Sequence, residues 1–165
     1  MKILITGAAG FIGMHTVKKI ALLGHQVIGL DNINAYYEIE LKYARLHELG
    51  INKTLLQYNK VLKGNTNISF IQLDIQDAGN LNVLFANEKF DLVIHLAAQA
   101  GVRLPLNESG RYIESNILGF YNIIINTIKS KIPSFVYASS SSVYGETSPI
   151  PFSESSLILT PKSFY

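Results

Sequence analysis

Cysteine is absent from the 165-residue sequence, which excludes a disulfide framework and a zinc site built on thiolates. Charge is scarce as well: Asp, Glu, Lys and Arg make up 16% of the chain, and the net charge of +2 comes from scattered basic residues. Nucleic acids and anionic membrane surfaces require clustered Lys and Arg, so neither kind of partner is predicted. His15, His25 and His47 have no carboxylates at metal-ligand spacing, and we predict no metal site.

Long hydrophobic runs are also missing, since no segment approaches the ~18 apolar residues of a membrane-spanning helix. The N-terminal sequence MKILITGAAGFIG holds only a short apolar run before its glycines and has no cleavage pattern after it, unlike a signal peptide. We therefore expect a cytoplasmic protein. Its length fits one domain, and its 48% apolar residues are enough for a sizeable core.

Short apolar runs alternate with helical patterns along the chain, which predicts an α/β fold. Strands are predicted at residues 2–6, 26–30, 68–73, 91–96 and 134–139, and helices at 11–23, 38–49, 78–87 and 107–130. Most strands are apolar on both faces, as in a parallel sheet covered by helices on both sides. We expect a three-layer, doubly wound sheet in the order 3-2-1-4-5, with residues 51–67 as a surface excursion and no sixth strand.

The segment TGAAGFIG, residues 6–13, follows the first predicted strand and opens the first predicted helix. Gly7 would allow a tight turn, Gly10 a close approach of the backbone to a pyrophosphate, and Gly13 close packing of the helix on the sheet. A phosphate would then sit at the helix N-terminus, where free N–H groups and the helix dipole favour anions. This context predicts a dinucleotide site rather than a glycine-rich turn without a ligand.

Asp31 ends the second predicted strand, about 20 residues after the glycine loop, where a carboxylate can accept a hydrogen bond from a ribose 2′-hydroxyl. It would repel the 2′-phosphate of NADP, so NAD is the predicted cofactor. Asn32 is expected to join Asp31 around the adenine ribose. Asp74 ends the third predicted strand, where it could contact the adenine amino group, with Ile75 packed on the ring, or could cap the next helix.

The segments TGAAGFIG, LDNINAYYEIELKYARL, VIHLAAQAGVR, SNILGFYNII and YASSSSVYG, in this order, resemble the extended short-chain dehydrogenase/reductase family and its NAD-dependent epimerase/dehydratases. DNxNxYY and AAQAGVR are most similar to bacterial UDP-glucuronate 4-epimerases. The resemblance covers essentially the whole chain and implies an incomplete Rossmann-type NAD-binding domain over residues 1–165. It also implies that the last strand of that fold and a C-terminal substrate domain are absent from this chain.

In the family that the chain resembles, a Ser or Thr, a Tyr and a Lys are catalytic, the last two as YxxxK. The resemblance places the hydroxyl group that contacts the sugar 4-oxygen at Ser140 and the tyrosine base at Tyr165. Ser139 would flank the nicotinamide and Ser141 the substrate. Ser141 and Ser142 stand where related dehydratases carry Asp and Glu, which favours epimerisation over loss of water. The family's Lys would follow Tyr165, so we expect the chain by itself to be inactive.

The resemblance also implies a set of cofactor contacts distributed along the chain. They are Gly7, Gly10, Phe11, Ile12, Gly13, Asp31, Asn32, Asp74, Ile75, Leu96, Ala97, Ala98, Asn116 and Ser139. Asn116 would lie near the nicotinamide end of the cofactor, or would only cap or pack within the long helix. Arg103 is either a ligand of the substrate phosphate or carboxylate or a solvated loop residue.

The long predicted helix, residues 107–130, carries an apolar stripe. Its members are Ile113, Ile117, Phe120, Ile124 and Ile128. In the family that the chain resembles, this helix forms a homodimer interface, and Tyr121 would lie either in that interface or in the core.

The function implied by the resemblance is inversion of C4 of UDP-glucuronate through a transient 4-keto sugar, with NAD reduced and re-oxidised in each cycle, in polysaccharide biosynthesis. A UDP-glucose or UDP-galactose 4-epimerase and a UDP-glucuronate decarboxylase are alternatives, because the substrate-facing half of such enzymes lies outside the chain. A dinucleotide-binding module without chemistry is the alternative from a different class of protein.

Overall fold

The predicted strands form most of a six-stranded sheet in the computed structural model, which describes residues 1–101, 105–145 and 149–155. The strands are β1 (Lys2–Thr6), β2 (Gln26–Asp31), β3 (Val61–Lys63), β4 (Ile68–Gln72), β5 (Leu92–His95) and β6 (Ser134–Tyr137). The helices are α1 (Phe11–Leu22), α2 (Ile39–Glu48), α3 (Ala78–Asn87), α4 (Gly110–Tyr112) and α5 (Phe120–Lys129). Short 3₁₀-helices lie at Lys53–Leu55, Leu106–Glu108 and Ser141–Tyr144.

The sheet has the order β3-β4-β2-β1-β5-β6, and every neighbouring pair except β3–β4 is parallel. The predicted doubly wound order is therefore confirmed for the parallel strands. β1 lies at the centre, with β2 and β4 on one side and β5 and β6 on the other. The carboxyl ends of all five parallel strands meet at one edge, and open α/β sheets bind ligands in the crevice where the strand order reverses.

The segment 51–67 contains a strand, which corrects the prediction of a surface excursion and of five strands only. β3 pairs antiparallel with β4, with Val61 opposite Ile71 and Lys63 opposite Ser69. Its three residues are exposed or half-buried, so the short strand leaves no apolar alternation in the sequence.

Two apolar clusters, one on each face of the sheet, form the core. Alternate residues of β1 enter opposite clusters, as the strand geometry requires: Ile3 and Ile5 pack with residues of α1 and α2, whereas Leu4 packs with residues of α3 and α5. All three side chains have 0% exposure. The apolar pattern on both faces of the strands, visible in the sequence, is explained by these two helical layers.

The helix predicted at 107–130 is not a regular α-helix. Its first residues form the 3₁₀-helix Leu106–Glu108, and a π-helical segment, Ile113–Gly119, joins α4 to α5. The wider π turn changes the phase of the side chains around the axis. Among the described residues, no helix is both long enough and apolar enough to cross a bilayer.

The predicted apolar stripe lies mainly on the exposed side of this helix. Ile113, Ile117 and Ile128 are 49%, 58% and 63% exposed, and Tyr121 is 56% exposed, so Tyr121 does not belong to the core. The side that packs on the sheet is partly polar instead, since buried Asn122 donates to the carbonyls of Ile75 and Gln76.

Candidate functional site

The loop between β1 and α1 is folded tightly on itself. Gly7 has a φ of 73°, and its carbonyl accepts a hydrogen bond of 2.9 Å from the amide of Gly10. A Cβ at Gly13 would overlap that same carbonyl, and a Cβ at Gly7 would lie 2.9 Å from the amide of Ala97. The loop therefore needs glycine at the first and third positions of its motif for packing reasons alone.

The N-terminus of α1 opens into the same crevice without a cap from the protein. Gly10 at the N-cap offers no side-chain hydrogen bond, and the first turn contains no acidic residue. The first amides of a helix lack intrahelical acceptors, and the helix dipole adds a partial positive charge there. A phosphate can satisfy these donors, which supports the anion site predicted from the sequence.

Asp31 lies at the carboxyl end of β2 and is 7% exposed. Its Oδ2 accepts from the amide of Ala9 at 3.1 Å, and its Oδ1 accepts from the amide of Ile33 at 2.8 Å. The Nζ of Lys42 lies 3.6 Å from Oδ1, in an ion pair whose two side chains are both buried. The carboxylate thus fixes the glycine loop at the same time as it lines the crevice.

Helix α2 contributes two cations to this end of the crevice that the sequence interpretation missed. Lys42 donates to Oδ1 of Asn34 at 2.9 Å, and Arg45 donates to the hydroxyl of Tyr37 at 2.7 Å and to the carbonyl of Ala9 at 3.3 Å. One signal was available: Lys42 stands one helical turn before the fully buried Leu46, on the buried face of α2.

Asp74 follows β4 and is held by its neighbours rather than by a helix. Its carboxylate accepts from the side-chain amide of Asn32 at 2.8 Å and from the backbone amide of Gln76 at 2.8 Å. The N-cap of α3 is Asp77, whose carboxylate accepts from the amide of Asn80 at 3.0 Å, so the capping role considered for Asp74 is wrong. Asp77 caps the helix instead of Asp74 because α3 begins only at Ala78, about one turn after Asp74.

The end of β5 is organised around Thr6 of the neighbouring strand. The Oγ1 of Thr6 accepts from the amides of Leu96 and Ala97 at 3.2 and 3.1 Å and lies 2.7 Å from Nδ1 of His95. Because Oγ1 accepts twice, its own proton points to Nδ1, and the proton of the neutral imidazole is on Nε2. Burial lowers the pKa of His95 to about 4. His95 is therefore a neutral side chain at the floor of the crevice.

Asn116 lies in the π-helical segment and clamps the loop that follows β5. Its Oδ1 accepts from the amide of Gln99 at 2.8 Å, and its Nδ2 donates to the carbonyl of Gln99 at 3.1 Å. The sequence interpretation placed Asn116 near the nicotinamide. The structure places it beside the crevice with its side-chain amide engaged by the protein backbone.

The serine cluster follows β6, which ends at Tyr137, two residues before the predicted end of that strand. Ser140 is the N-cap of the 3₁₀-helix Ser141–Tyr144: its hydroxyl accepts from the amide of Ser142 at 3.2 Å and lies 3.1 Å from the Ser142 hydroxyl. Ser139 and Ser141 are exposed.

These elements surround a cleft of about 1210 Å³ at the carboxyl edge of the sheet. The predicted site residues that line it are Gly7, Gly10, Phe11, Ile12, Gly13, Asp31, Asn32, Ile75, Leu96, Ala97, Ala98, Asn116, Ser139 and Ser140. Asp74 and Ser141 do not belong to its lining, and Arg103 and Tyr165 lie outside the described residues. Because the strands between Asp31 and Ser140 follow the order β2-β1-β5-β6, the cleft crosses three inter-strand spacings, roughly 14 Å.

The described residues fit a dinucleotide: a loop with glycine at positions 7, 10 and 13 and an uncapped helix suit the pyrophosphate, and a carboxylate suits a ribose. A parallel sheet of this order, with that loop between β1 and α1 and Asp31 at the end of β2, defines a Rossmann-type dinucleotide-binding fold. Comparison with known families makes the assignment narrower. The chain belongs to the NAD dependent epimerase/dehydratase family, which it matches over residues 3–165.

Curated relatives match the chain from end to end. Protein CapI of Staphylococcus aureus is 43% identical over 165 residues, which are 100% of this chain and 45% of that protein. UDP-glucuronate 4-epimerase 5 of Arabidopsis thaliana is 41% identical over 166 residues, covering 100% of this chain and 35% of that protein. The chain thus spans less than half the length of these relatives.

Solved structures show the same relationship. UDP-glucuronic acid 4-epimerase from Bacillus cereus in complex with NAD superimposes with a TM-score of 0.77 at 31% identity, covering 99% of this chain and 47% of that one. UDP-glucose 4-epimerase from Thermus thermophilus in complex with NAD gives a TM-score of 0.74 at 27% identity, covering 99% of this chain and 45% of that one. The family and the fold expected from the sequence are confirmed.

Proposed function

We propose that the protein is an NAD-dependent nucleotide-sugar epimerase that inverts C4 of UDP-glucuronate, in the synthesis of polysaccharide precursors. The observation that carries the proposal is the cleft that joins the glycine loop and Asp31 at one end to Ser139 and Ser140 at the other. An adenosine half would lie over β2 and a nicotinamide half over β5 and β6. A sugar would then meet the nicotinamide beside Ser140.

Each part of the cleft has a distinct task in this proposal. NAD, when bound, supplies a reversible hydride acceptor. The first amides of α1 hold the pyrophosphate, and Asp31 accepts a hydrogen bond from the adenine ribose. The hydroxyl of Ser140 orients the sugar 4-oxygen, from which Tyr165 removes a proton as general base. Arg103 and Ser141 are the proposed contacts of the charged and polar groups of the substrate.

The choice of sugar rests on the relatives. Proteins named UDP-glucuronate 4-epimerase are 39–41% identical to this chain, and the Bacillus cereus structure in complex with UDP-glucuronic acid and NAD gives a TM-score of 0.79 at 32% identity. Among solved structures, those named UDP-glucuronic acid 4-epimerase are 31–32% identical to this chain, and those named UDP-glucose or UDP-galactose 4-epimerase are 27–30% identical. These identities favour UDP-glucuronate over UDP-glucose and UDP-galactose as the proposed substrate.

An epimerisation assay tests this function. The complete reading frame that contains these residues is expressed, supplied with NAD and either UDP-glucuronate or UDP-galactose, and the 4-epimers are separated by chromatography. Conversion of UDP-glucuronate to its 4-epimer is expected. Conversion of UDP-galactose alone would replace the substrate, and release of carbon dioxide with a pentose product would indicate a decarboxylase. NAD binding without turnover of either sugar would favour the binding module.

The cofactor preference gives a first quantitative prediction. We expect at least tenfold tighter binding of NAD than of NADP, about 1.4 kcal/mol, because Asp31 repels a 2′-phosphate. Asp31→Asn keeps the shape and one acceptor oxygen but removes the charge, so the preference should narrow to roughly threefold or less. The variant should also be less stable, because Lys42 loses its buried partner charge, and the ratio of the two affinities is therefore compared rather than either affinity alone. Titration calorimetry with both dinucleotides measures the two ratios. The exposed Asp91→Asn is the control, and equal binding of NAD and NADP by the unmodified protein would contradict the role of Asp31.

We also propose a homodimer through the helix that runs from α4 to α5. Ile113, Ile117, Tyr121 and Ile128 leave an exposed apolar surface along this helix, whereas helices of soluble proteins normally bury such a side. Sedimentation velocity of the unmodified protein and of Ile117→Lys tests the interface. A monomer at micromolar concentration before substitution would argue against it.

A further inference from the structure

The π-helical segment Ile113–Gly119 lies between the cleft and an exposed apolar surface. Only the three residues of α4 precede it in the helix, so it belongs to the N-terminal part, where helices fray. π turns are rare and are frequently found at functional sites. Short helical segments are marginally stable in water, and tertiary contacts supply most of their stability. The order of this segment therefore depends on the contacts made by its two sides.

The inner side of the helix holds the loop that follows β5. The hydroxyl of Tyr112, a residue that is 3% exposed, donates to the carbonyl of Gly101. Further along the helix, Asn116 accepts from the amide of Gln99 at 2.8 Å and donates to the carbonyl of Gln99 at 3.1 Å. Gln99 and Ala100 line the cleft, so the position of this wall of the cleft depends on the helix.

The same side of the helix also holds the loop that follows β4. A Cβ at Gly119 would lie 2.5 Å from Cδ1 of Ile75, so the main chain of the helix packs directly on this side chain. Asn122, in the first turn of α5, donates to the carbonyls of Ile75 and Gln76 at 2.9 and 3.3 Å. Because β4 and β5 lie on opposite sides of β1 in the sheet, the helix fixes two loops that flank the glycine loop.

The outer side of the same segment carries apolar side chains that are open to solvent. Ile113, Ile117 and Leu118 are 49%, 58% and 46% exposed, and they belong to the surface proposed above as the homodimer interface. One stretch of main chain thus serves the cleft on one side and the proposed interface on the other. The first binding event, of a dinucleotide or of a second copy, orders this stretch, and the second event no longer bears that entropic cost.

We propose that dimerisation and dinucleotide binding are coupled through the π segment, so that the dimer binds NAD more tightly than the monomer does. The inference rests on the proposed NAD binding and the proposed homodimer, and it adds a regulatory link between them. Such coupling is reciprocal. If each site of the dimer binds NAD about tenfold more tightly, saturation with NAD strengthens the dimer about a hundredfold, because two sites contribute.

The test uses the protein from the complete reading frame, in its unmodified form and with Ile117→Lys or Ile128→Lys. Sedimentation velocity with and without saturating NAD gives the oligomeric state, and calorimetry gives the NAD affinity. A lysine in the interface should yield monomers that bind NAD about tenfold more weakly. Ile128 lies near the end of α5, outside the π segment, so its substitution leaves the contacts with the two loops intact. The NAD affinity should therefore follow the oligomeric state in every variant.

Two further measurements separate coupling from a general effect of surface charge. Leu55→Lys changes a residue that is also 58% exposed, in the 3₁₀-helix Lys53–Leu55, and should alter neither dimerisation nor NAD affinity. Amide hydrogen exchange in residues 113–119 should be slower in the dimer than in the monomeric variants, and slower again when NAD is bound.

The outcomes distinguish the coupling from the functions on which it rests. A monomeric variant that binds NAD as tightly as the dimer would overturn the coupling and leave both proposed functions in place. The same holds for a dimer whose dissociation constant does not change with NAD. Loss of affinity in Ile117→Lys but not in an equally monomeric Ile128→Lys would show a local distortion instead. An unmodified protein that binds no NAD, or that is a monomer with NAD bound, would refute the proposed function itself and the coupling with it.

Discussion

Replacing Gly13 by alanine is expected to destabilise the protein by at least about 2 kcal/mol, although alanine is the better helix former by about 1 kcal/mol. The added Cβ would overlap the carbonyl of Gly7, and backbone atoms of the loop would have to move away. The hydrogen bonds from the first turn of α1 to the pyrophosphate would be misaligned, so NAD affinity should fall ~100-fold or more. Urea unfolding and calorimetry measure the two effects.

A matched glycine elsewhere in the fold provides the control. Gly79 lies in the first turn of α3, where a Cβ would meet nothing closer than Oδ1 of Asp77 at 3.7 Å. Gly79→Ala should therefore be neutral or stabilising by up to about 1 kcal/mol and should not affect NAD binding. If Gly13→Ala is as stable as Gly79→Ala and still binds NAD normally, the close contact between loop and helix limits neither the stability of the fold nor its affinity for NAD.

Acid is expected to destabilise the fold through His95. Burial lowers the pKa of His95 from 6.5 to about 4. Between these two pH values the imidazole is therefore protonated in the unfolded chain and neutral in the folded protein. The free energy of unfolding should therefore fall as the pH decreases from 6.5 to 4, by about 3 kcal/mol from this residue, and no further below that. Protonation would also place a second donor opposite the hydroxyl of Thr6.

The contribution of His95 is isolated by comparing slopes rather than absolute stabilities, since carboxylates titrate in the same range. Urea unfolding at pH 7 and pH 4 is measured for the unmodified protein and for His95→Gln, which should lose about 3 kcal/mol less over that interval. His47→Gln, on the exposed side of α2, controls for the loss of an imidazole. An equal pH dependence in the unmodified protein and in His95→Gln would show that the buried ring is protonated as readily as in the unfolded chain.

The central fold could be predicted because its signals are local. β1 and β4 are apolar on both faces, since two helical layers cover them, and their sequences show this directly. The phase of the long helix could not be predicted, because a seven-residue π segment changes which side chains meet the sheet. The apolar repeat around Ile117 therefore marks the outer surface, while Asn122 faces inward and bonds to carbonyls of the loop after β4.

The parts of the candidate site that a sequence motif fixes could be predicted. Side chains whose position depends on residues distant in the sequence could not be predicted. The glycine loop and Asp31 stand at positions that the strand–loop–helix pattern dictates. From the sequence, Lys42 is expected on the surface. The fold brings its ammonium group to Asp31 and to Asn34, and these two partners make its burial possible. Asn116 was assigned to the site, but no motif in the sequence predicts that its side-chain amide bonds to the backbone of Gln99.

The short strand β3 also protects the protein from edge-to-edge strand pairing and aggregation. Without it, β4 would end the sheet with an unpaired five-residue strand whose sequence, ISFIQ, is apolar and β-branched at several positions. Such an edge is a template for pairing with a second unfolding chain and for aggregation. β3 covers this edge with three residues flanked by the exposed Lys60 and ending in the exposed Lys63, whose charges discourage further strand addition. Removing the segment 51–67 to shorten the protein would therefore lower its solubility even if the cleft stayed intact.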